Sequence, residues 1–168
     1  VMLSGETATG KHPTLVVETM RKIILEVEKT EYRYDREEDL VPQPHSPSFL
    51  SDAICYNACK LARDTKSDAL IGMTQSGYTA FMLSSYRPRC PLYIFTKEKT
   101  LVNQLSLSWG VRAFFYDEED SLDDIIEDQI DILKERGFIH PGDVVVNTGS
   151  TPVDQHLPTN VLKITTID

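Results

Sequence analysis

One stretch of the chain, Asp68–Leu83, joins an apolar run to a short turn and then to a segment with helical spacing. Ala69–Met73 lacks the polar alternation of a half-exposed strand, which is typical of a parallel strand covered on both faces. A helix is predicted to begin near Ser76, directly after the turn. Strand, turn and helix in this order are the building unit of an α/β sheet, and the rest of the chain has to fit that unit.

The turn itself carries groups that suit an anion. Ser76, Gly77 and Thr79 place hydroxyls and unobstructed backbone N–H groups at the positive end of the predicted helix, where unpaired donors and the helix dipole favour negative charge. The turn therefore predicts a small phosphate site. The alternative is that Ser76 is an ordinary N-cap of a helix that needs no ligand, and the residues alone leave both interpretations open.

Two further expectations follow from the composition of this turn. It contains no Lys or Arg, so we expect it to bind a phosphate monoester on a larger metabolite and to hold free phosphate weakly, with a Kd of roughly 0.1 to 1 mM. Replacing Gly77 by Asp would place a carboxylate among the donors. That substitution is predicted to abolish binding of the phosphorylated ligand and to leave the melting temperature nearly unchanged.

Helix and strand patterns alternate from Ser48 onward. Helices are predicted over 48–63, 78–86, 99–109 and 121–136, and strands over 69–73, 92–96, 111–116, 142–147 and 160–167. This alternation predicts a doubly wound α/β fold with a mostly parallel five-stranded sheet and helices on both faces. The last connection contains no helix, so the fifth strand is predicted to be an antiparallel edge strand. Ligands of such sheets bind at the carboxyl ends of the strands, where loops 74–79 and 148–160 are expected.

The first 47 residues have a different character. Val1–Leu3 looks like the end of a strand whose neighbours are missing, and Thr14–Lys29 carries one apolar stripe behind Pro13, a residue permitted in a first helical turn. We therefore expect a fragment whose first helix buries its stripe against another chain or folds back over residues beyond 48. Residues 31–47 mix dense charge with proline, which is typical of a linker. Three parts are expected: 1–30, a linker over 31–47, and a domain over 48–168.

Composition excludes several kinds of partner. Seventeen Lys and Arg against 26 Asp and Glu give a net charge of −9, which makes nucleic acid and anionic membrane surfaces poor partners. No apolar stretch approaches the ~20 residues that span a bilayer, and no signal-peptide pattern opens the chain, so a cytoplasmic location is expected. Cys55, Cys59 and Cys90 lack the spacing of metal ligands, and we expect reduced thiols in a packed interior.

One segment has the form of a nucleotide-binding motif. Gly5–His12 matches the phosphate-binding P-loop pattern of Gly, four residues and Gly-Lys. His12, however, stands where Ser or Thr should reach Mg²⁺, and Pro13 removes a backbone donor where the helix of a P-loop begins. We interpret the match as accidental.

Two other patterns could be taken for chemical sites. The acidic run Asp117–Asp120 precedes a predicted helix, and a solvated segment matched to the helix dipole is favoured there over a cation site. His45, His140 and His156 lie apart in predicted loops. A nucleophilic or metal-dependent mechanism within this chain therefore has no support.

Two stretches, Val1–Pro13 and Leu70–Ala80, resemble the pyruvate kinase family, specifically its carboxyl-terminal third. The first is similar to the family's Met-Leu-Ser-Gly-Glu-Thr-Ala segment at the end of the last barrel strand. Further similar segments follow in the family's order, at Tyr86–Pro91, Arg136–Val145 and Thr148–Gly149. The resemblance implies that residues 1–30 are the terminal β/α piece of a catalytic (β/α)8, or TIM, barrel, and that residues 48–168 are the family's regulatory domain.

The resemblance also implies a parent enzyme. Its reaction would be phosphoryl transfer between phosphoenolpyruvate and ADP, giving pyruvate and ATP in glycolysis, with Mg²⁺ and commonly K⁺ as cofactors. It would be a homotetramer in which regulatory domains pair. Only Ser4–Thr7 match the barrel segment at the edge of the family's catalytic face. The chain itself is therefore expected to contain no catalytic residue, to bind no metal and to be inactive alone.

In regulated members of the family, the loop after the first strand of this domain grips a phosphate of a sugar-phosphate effector. The resemblance thus implies an effector site here made of Thr74, Gln75, Ser76, Gly77, Tyr78 and Thr79. In animal members that bind fructose bisphosphate, a Trp and an Arg help hold the other phosphate, and residues 117–131 contain neither, so the resemblance leaves the effector open. The alternative hypothesis is a free-standing phosphometabolite-binding module without a catalytic parent, but such a module has no use for a barrel segment at 1–30.

Overall fold

The computed structural model describes residues 1–29, 34–36, 40–118, 121–155 and 157–168. Two compact units divide the chain, Val1–Arg33 and Tyr34–Asp168. The linker predicted over 31–47 falls partly outside the described residues, at 31–33 and 37–39, and its bounds stay a prediction. No helix among the described residues combines the length and the apolar character needed to cross a membrane.

The first unit contains α1, Gly5–Ala8, and α2, Pro13–Glu28. Pro13 occupies the first position of α2, where its missing N–H removes no helical hydrogen bond. Val1–Leu3 lie in no strand, and α1 fills the segment that a P-loop would leave as an open cradle. The motif match at Gly5–His12 therefore has no cradle geometry.

The apolar stripe of α2 is formed as the spacing predicts, but none of its residues is buried. Leu15 is 55% and Ile23 56% exposed. Apolar side chains in such number gain free energy when a surface covers them, at roughly 25 cal/mol per Å² of area removed from water. The expectation that this stripe has a covering partner stays a prediction.

The second unit is built on a five-stranded sheet with strand order β3-β2-β1-β4-β5. Its strands are β1 Ala69–Met73, β2 Leu92–Thr96, β3 Val111–Phe115, β4 Val144–Gly149 and β5 Val161–Thr166. The first four are parallel, and β5 pairs antiparallel with β4, with Val146 opposite Ile164. The predicted doubly wound fold and its antiparallel edge strand are confirmed.

The helices of the second unit are α3 Phe49–Thr65, α4 Tyr78–Tyr86, α5 Lys99–Leu105 and α6 Leu122–Glu135, and a 3₁₀ turn covers Val153–Gln155. The prediction that the third helix of this series reaches residue 109 was wrong, because α5 ends at Leu105. The amides of Ser106, Leu107 and Ser108 each donate to the carbonyl three residues earlier. These tighter turns end the α-helix four residues early.

Alternate residues of the strands pack into two core layers, one on each face of the sheet. Leu70 of β1 packs with α3, α4 and α5 on one face, and Ile71 packs with α6 on the other. Val146 and Val145 of β4 divide in the same way, as the two-residue period of a strand requires. Cys55 and Cys59 lie in the first layer and are not joined in a disulfide, and burial raises the pKa of Cys55 to about 12.

Residues 34–36 pack against the turn that follows α4. The Asp35 N–H donates to the carbonyl of Arg87 over 3.1 Å, and Arg89 Nε donates to Asp35 Oδ2 over 2.7 Å. The guanidinium of Arg87 lies 4.5 Å from the ring centroid of Trp109, and that of Arg89 lies 5.4 Å from the centroid of Tyr34. The contacts of Asp35 and Tyr34 with Arg87 and Arg89 thus hold this short segment against the turn after α4.

Candidate functional site

A cleft of about 910 Å³ lies at the carboxyl ends of the parallel strands. The ends of four neighbouring strands contribute to its lining in the order β3, β2, β1, β4, through Tyr116, Lys97, Thr74 and Ser150 respectively. The beginning of α3 and the connection between β4 and β5 complete the walls. This is the edge of the sheet at which the α/β pattern places a ligand.

Hydrogen bonds from two residues define the loop between β1 and α4. Gly77 N–H donates to Thr74 Oγ1 over 3.0 Å, and Tyr78 N–H donates to Ser76 Oγ over 3.4 Å. Gly77 is the N-cap, with φ +86°, and the helix begins at Tyr78. The interpretation of Ser76 as the N-cap was wrong, since the buried Thr74 side chain accepts the shorter bond and folds the loop.

Capping leaves part of the helix end without an acceptor. The first four N–H groups of a helix have no partner within it, and in α4 they belong to Gly77, Tyr78, Thr79 and Ala80. Among the described residues, no hydrogen bond uses the N–H of Thr79 or Ala80. Thr79 lines the cleft, and Ser76 is exposed beside it. An anion in the cleft could therefore receive bonds from this helix end and from the Ser76 hydroxyl.

The hydroxyl of Thr79 has a partner already. Thr79 Oγ1 and Thr159 Oγ1 lie 2.7 Å apart, and both side chains are buried. One of these hydroxyls donates to the other, so the second proton of the pair stays available to a ligand. Thr159 was missed by the sequence reasoning, which pointed only to the loop 148–160 as a whole.

Tyr78 contributes its ring to the cleft while its hydroxyl is engaged elsewhere. Tyr78 Oη donates to Asp52 Oδ1 over 2.6 Å, and Ser48 Oγ donates to Asp52 Oδ2 over 2.7 Å. The hydrogen bond to Asp52 raises the pKa of Tyr78. The contact ties the beginning of α4 to the beginning of α3 and so helps to fix the loop between β1 and α4.

Gly77 cannot be replaced at no cost in stability. A Cβ there would lie 2.9 Å from Leu101 Cδ1 and 3.0 Å from Phe81 Cε2, and φ is in the left-handed region. Both the contact and the backbone conformation disfavour an L side chain. This geometry argues against the expectation that Gly77→Asp leaves the melting temperature nearly unchanged. Loss of binding in that variant would not isolate the site.

The charges in the cleft are mixed. Lys97 lines it at the end of β2, and Asp117 and Glu118 line it after β3. Residues 119 and 120 of the acidic run lie outside the described residues. Ser121 caps α6, because its Oγ accepts from the N–H of Asp124 over 3.3 Å.

A smaller groove of about 390 Å³ continues from Asp117 along α6 and is lined by acidic side chains. No group of three His, Cys, Asp or Glu within the described part of the chain could hold a metal ion. His45 and His140 do not line the cleft, and His156 lies outside the described residues. The structure thus brings together the six residues of loop 74–79, and neither His45 nor His140 lines the cleft beside it.

Comparisons with known proteins identify the chain's relatives. The family model "Pyruvate kinase, alpha/beta domain" matches residues 52–165. Pyruvate kinase of Clostridium acetobutylicum is 35% identical over 169 residues, covering 100% of this chain and 35% of the relative. The chloroplastic pyruvate kinase isozyme A of Nicotiana tabacum is 32% identical, covering 87% of this chain and 25% of the relative.

A solved structure agrees with these matches. A pyruvate kinase from Cryptosporidium parvum superposes with a TM-score of 0.84 at 26% identity, covering 100% of this chain and 33% of that one. The chain thus spans between 25% and 35% of the length of these relatives. The chain belongs to the pyruvate kinase family, and its residues 52–165 are the α/β domain of that family.

Proposed function

We propose that this chain supplies the effector-binding and oligomerisation part of a pyruvate kinase. The parent enzyme would transfer phosphoryl between phosphoenolpyruvate and ADP. One observation carries the effector role: loop 74–79 opens onto the cleft at the carboxyl edge of the sheet, with the first-turn N–H of Thr79 unused among the described hydrogen bonds. The ligand would be a sugar phosphate or a similar phosphorylated metabolite.

The phosphate would be held by short, charge-assisted contacts. Donors are the Ser76 hydroxyl, the spare proton of the Thr79 and Thr159 pair, and the N–H of Thr79. Each such bond contributes about 1.5–3 kcal/mol before the entropy of association is subtracted. Gln75 also faces the cleft, while Thr74 and Gly77 shape the loop and Tyr78 anchors it.

The rest of the parent's chemistry is proposed to lie outside this chain. The described residues offer no cluster of metal-ligating side chains, so we propose that Mg²⁺ and K⁺ bind to other parts of the enzyme. We propose the rest of the catalytic barrel as the surface that covers the apolar stripe of α2, a homotetramer as the assembly, and the cytoplasm as the compartment. A free-standing module is not favoured, because pyruvate kinases match the whole chain.

The test is a titration of the 168-residue chain with sugar phosphates, followed by amide chemical shifts of residues 74–80 and by calorimetry. The variant Ser76→Asp places a carboxylate at the exposed donor of the loop. Ser85→Asp, on the exposed side of the same helix, is the matched control. We expect the shifts and the heat to vanish in Ser76→Asp and to persist in Ser85→Asp. Equal binding by both variants, or no shift in the unchanged chain, would refute the effector role.

A further inference from the structure

We infer that Arg87, Arg89 and Trp109 form a docking surface whose occupant is the chain's own segment 34–36, and that this segment is a strap which salt releases. The surface does not line the cleft, so its occupancy is independent of the proposed ligand site. Unit 1 ends at Arg33. The strap therefore controls where the chain that follows unit 1 is first held on unit 2.

The docking surface is built from two connections at the amino edge of the sheet, the edge opposite the cleft. Arg87 and Arg89 lie between α4 and β2, and Trp109 lies between α5 and β3. Because β2 and β3 are neighbouring parallel strands, the connections that enter them lie side by side. Ser84 Oγ donates to the Trp109 carbonyl over 2.8 Å and ties the end of α4 to the second connection. Contacts within unit 2 thus hold the surface in shape.

The strap meets this surface with an aromatic ring and a carboxylate. The rings of Tyr34 and Trp109 pack edge to face, with 6.0 Å between centroids, and the Arg89 guanidinium lies 5.4 Å from the Tyr34 centroid. Asp35 Oδ2 accepts from Arg89 Nε over 2.7 Å, and the Asp35 side chain is only 16% exposed. All three contacts favour docking. Arg89 touches both groups of the strap, so the ring and the carboxylate should dock and leave together.

Two effects oppose docking. Asp35 and Arg87 have φ of +55° and +51°, in the left-handed region that residues other than glycine rarely adopt. The Asp35 N–H donates to the Arg87 carbonyl over 3.1 Å, so docking keeps Asp35 in that conformation. Ordering the strap also costs conformational entropy, which is comparable with the gain from a few surface contacts. The docked fraction should therefore respond to the loss or screening of one ion pair.

The fluorescence of Trp109 reports whether the strap is docked, because the sequence contains one tryptophan. Its side chain is half-buried, with the Tyr34 ring against it. When the strap leaves, a quencher in water reaches the indole. Substitution of Asp35 leaves unaltered the Tyr34 and Arg87 side chains that touch the indole. Increased quenching in such a variant therefore reports movement of the strap.

The experiment is acrylamide quenching of Trp109 in the 168-residue chain, from about 0.05 M to about 1 M NaCl, over which the screening length falls several-fold. Asp35→Asn removes the charge paired with Arg89 and should lower the docking equilibrium constant about two- to fivefold. Asp123→Asn is the matched control, since it removes a carboxylate from a 2.7 Å pair with Lys163. Tyr34→Ala gives the quenching of the uncovered indole.

We expect weak quenching at low salt in the unchanged chain and in Asp123→Asn, rising with salt as the ion pair of the strap is screened. Asp35→Asn should be quenched more strongly at low salt and should lose most of the salt dependence. Equal quenching of Asp35→Asn and Asp123→Asn at every salt concentration would show that the ion pair does not hold the strap. Quenching of the unchanged chain at low salt as strong as that of Tyr34→Ala would show that the surface is unoccupied in solution. Either result overturns the inference.

Discussion

The hydroxyls of Thr79 and Thr159 lie 2.7 Å apart and join the first turn of α4 to the connection between β4 and β5. The two residues are 80 positions apart in sequence, and both side chains are buried. Because the pair is buried, breaking it leaves a hydroxyl without water or protein as partner. Loop 74–79 and the connection between β4 and β5 are therefore expected to become ordered together and to become mobile together.

This link predicts non-additive losses of stability. Thr159→Val keeps the side-chain volume but leaves the Thr79 hydroxyl buried and unpaired, at a cost of about 1–3 kcal/mol in unfolding free energy. Adding Thr79→Val removes the orphaned group, so the double variant should lose less than the sum of the two single losses. Urea unfolding of all four proteins measures the coupling. Thr166→Val, at an exposed position of β5, is the control, and strictly additive losses would contradict the link.

Gly→Ala changes at Gly77 and Gly137 can separate the cost in stability of a steric clash from the cost of a strained backbone. Gly77 and Gly137 both have positive φ, +86° and +69°, but only at Gly77 would a Cβ meet other side chains. Each Gly→Ala change should cost roughly 1 kcal/mol for the left-handed conformation. Gly77→Ala should lose about 1–2 kcal/mol more, because Leu101 and Phe81 must shift. Equal losses in urea unfolding at the two positions would show that the packing around Gly77 is not restrictive.

The contact between Tyr78 and Asp52 predicts a dependence of stability on alkaline pH. Its hydrogen bond raises the pKa of Tyr78 in the folded chain, so the contact stabilises fully below the unfolded tyrosine value of about 10 and is lost as pH rises through the folded value. The stability advantage of the unchanged chain over Tyr78→Phe should therefore shrink as pH rises above about 10. Tyr78 is 41% exposed, so the effect at neutral pH should be small.

Tyr56→Phe is the control for that measurement, because the Tyr56 hydroxyl has no hydrogen bond within the described part of the chain. At each pH, the loss of unfolding free energy in Tyr78→Phe is compared with the loss in Tyr56→Phe. Urea unfolding free energies at a series of alkaline pH values provide the comparison. A constant difference between Tyr78→Phe and the unchanged chain would argue that the bond contributes nothing to folding.

Raised thiol pKa values predict slow reaction with alkylating reagents at the buried Cys55 and at the partly buried Cys90. Burial raises the pKa of both Cys55 and Cys90 to about 12, and the thiolate is the reactive form. Mass spectrometry of the folded chain should show modification at these two cysteines only after denaturant is added. Rapid labelling of Cys55 in the folded chain would contradict its place in the core.

The chain alone is expected to show no pyruvate kinase turnover. The described residues supply no group of metal-ligating side chains, and phosphoryl transfer needs metal ions to neutralise developing charge. A coupled assay with phosphoenolpyruvate and ADP measures the rate, with Ser76→Asp as the companion sample. Turnover above background that the purified chain retains through further chromatography would overturn this assignment.

The sequence by itself determined the topology of the second unit. Apolar runs without alternation predicted buried parallel strands, and the helix-free connection before Val161–Thr166 predicted the antiparallel edge, since a parallel return needs a crossover. Loop 74–79 was also placed correctly at the carboxyl edge of the sheet. These properties follow from short-range periodicity and from the lengths of the connections. Both can be read directly from the sequence.

Only the tertiary structure decided how that loop is held. Thr74 rather than Ser76 accepts the short capping bond, Thr159 meets Thr79 from 80 residues away, and Leu101 closes the space beside Gly77. No local pattern marks Thr159 or Leu101 as partners of this loop. Their positions depend on the sheet bringing β1, β2 and β4 side by side, because packing and hydrogen bonding between distant segments exist only once the strands have paired.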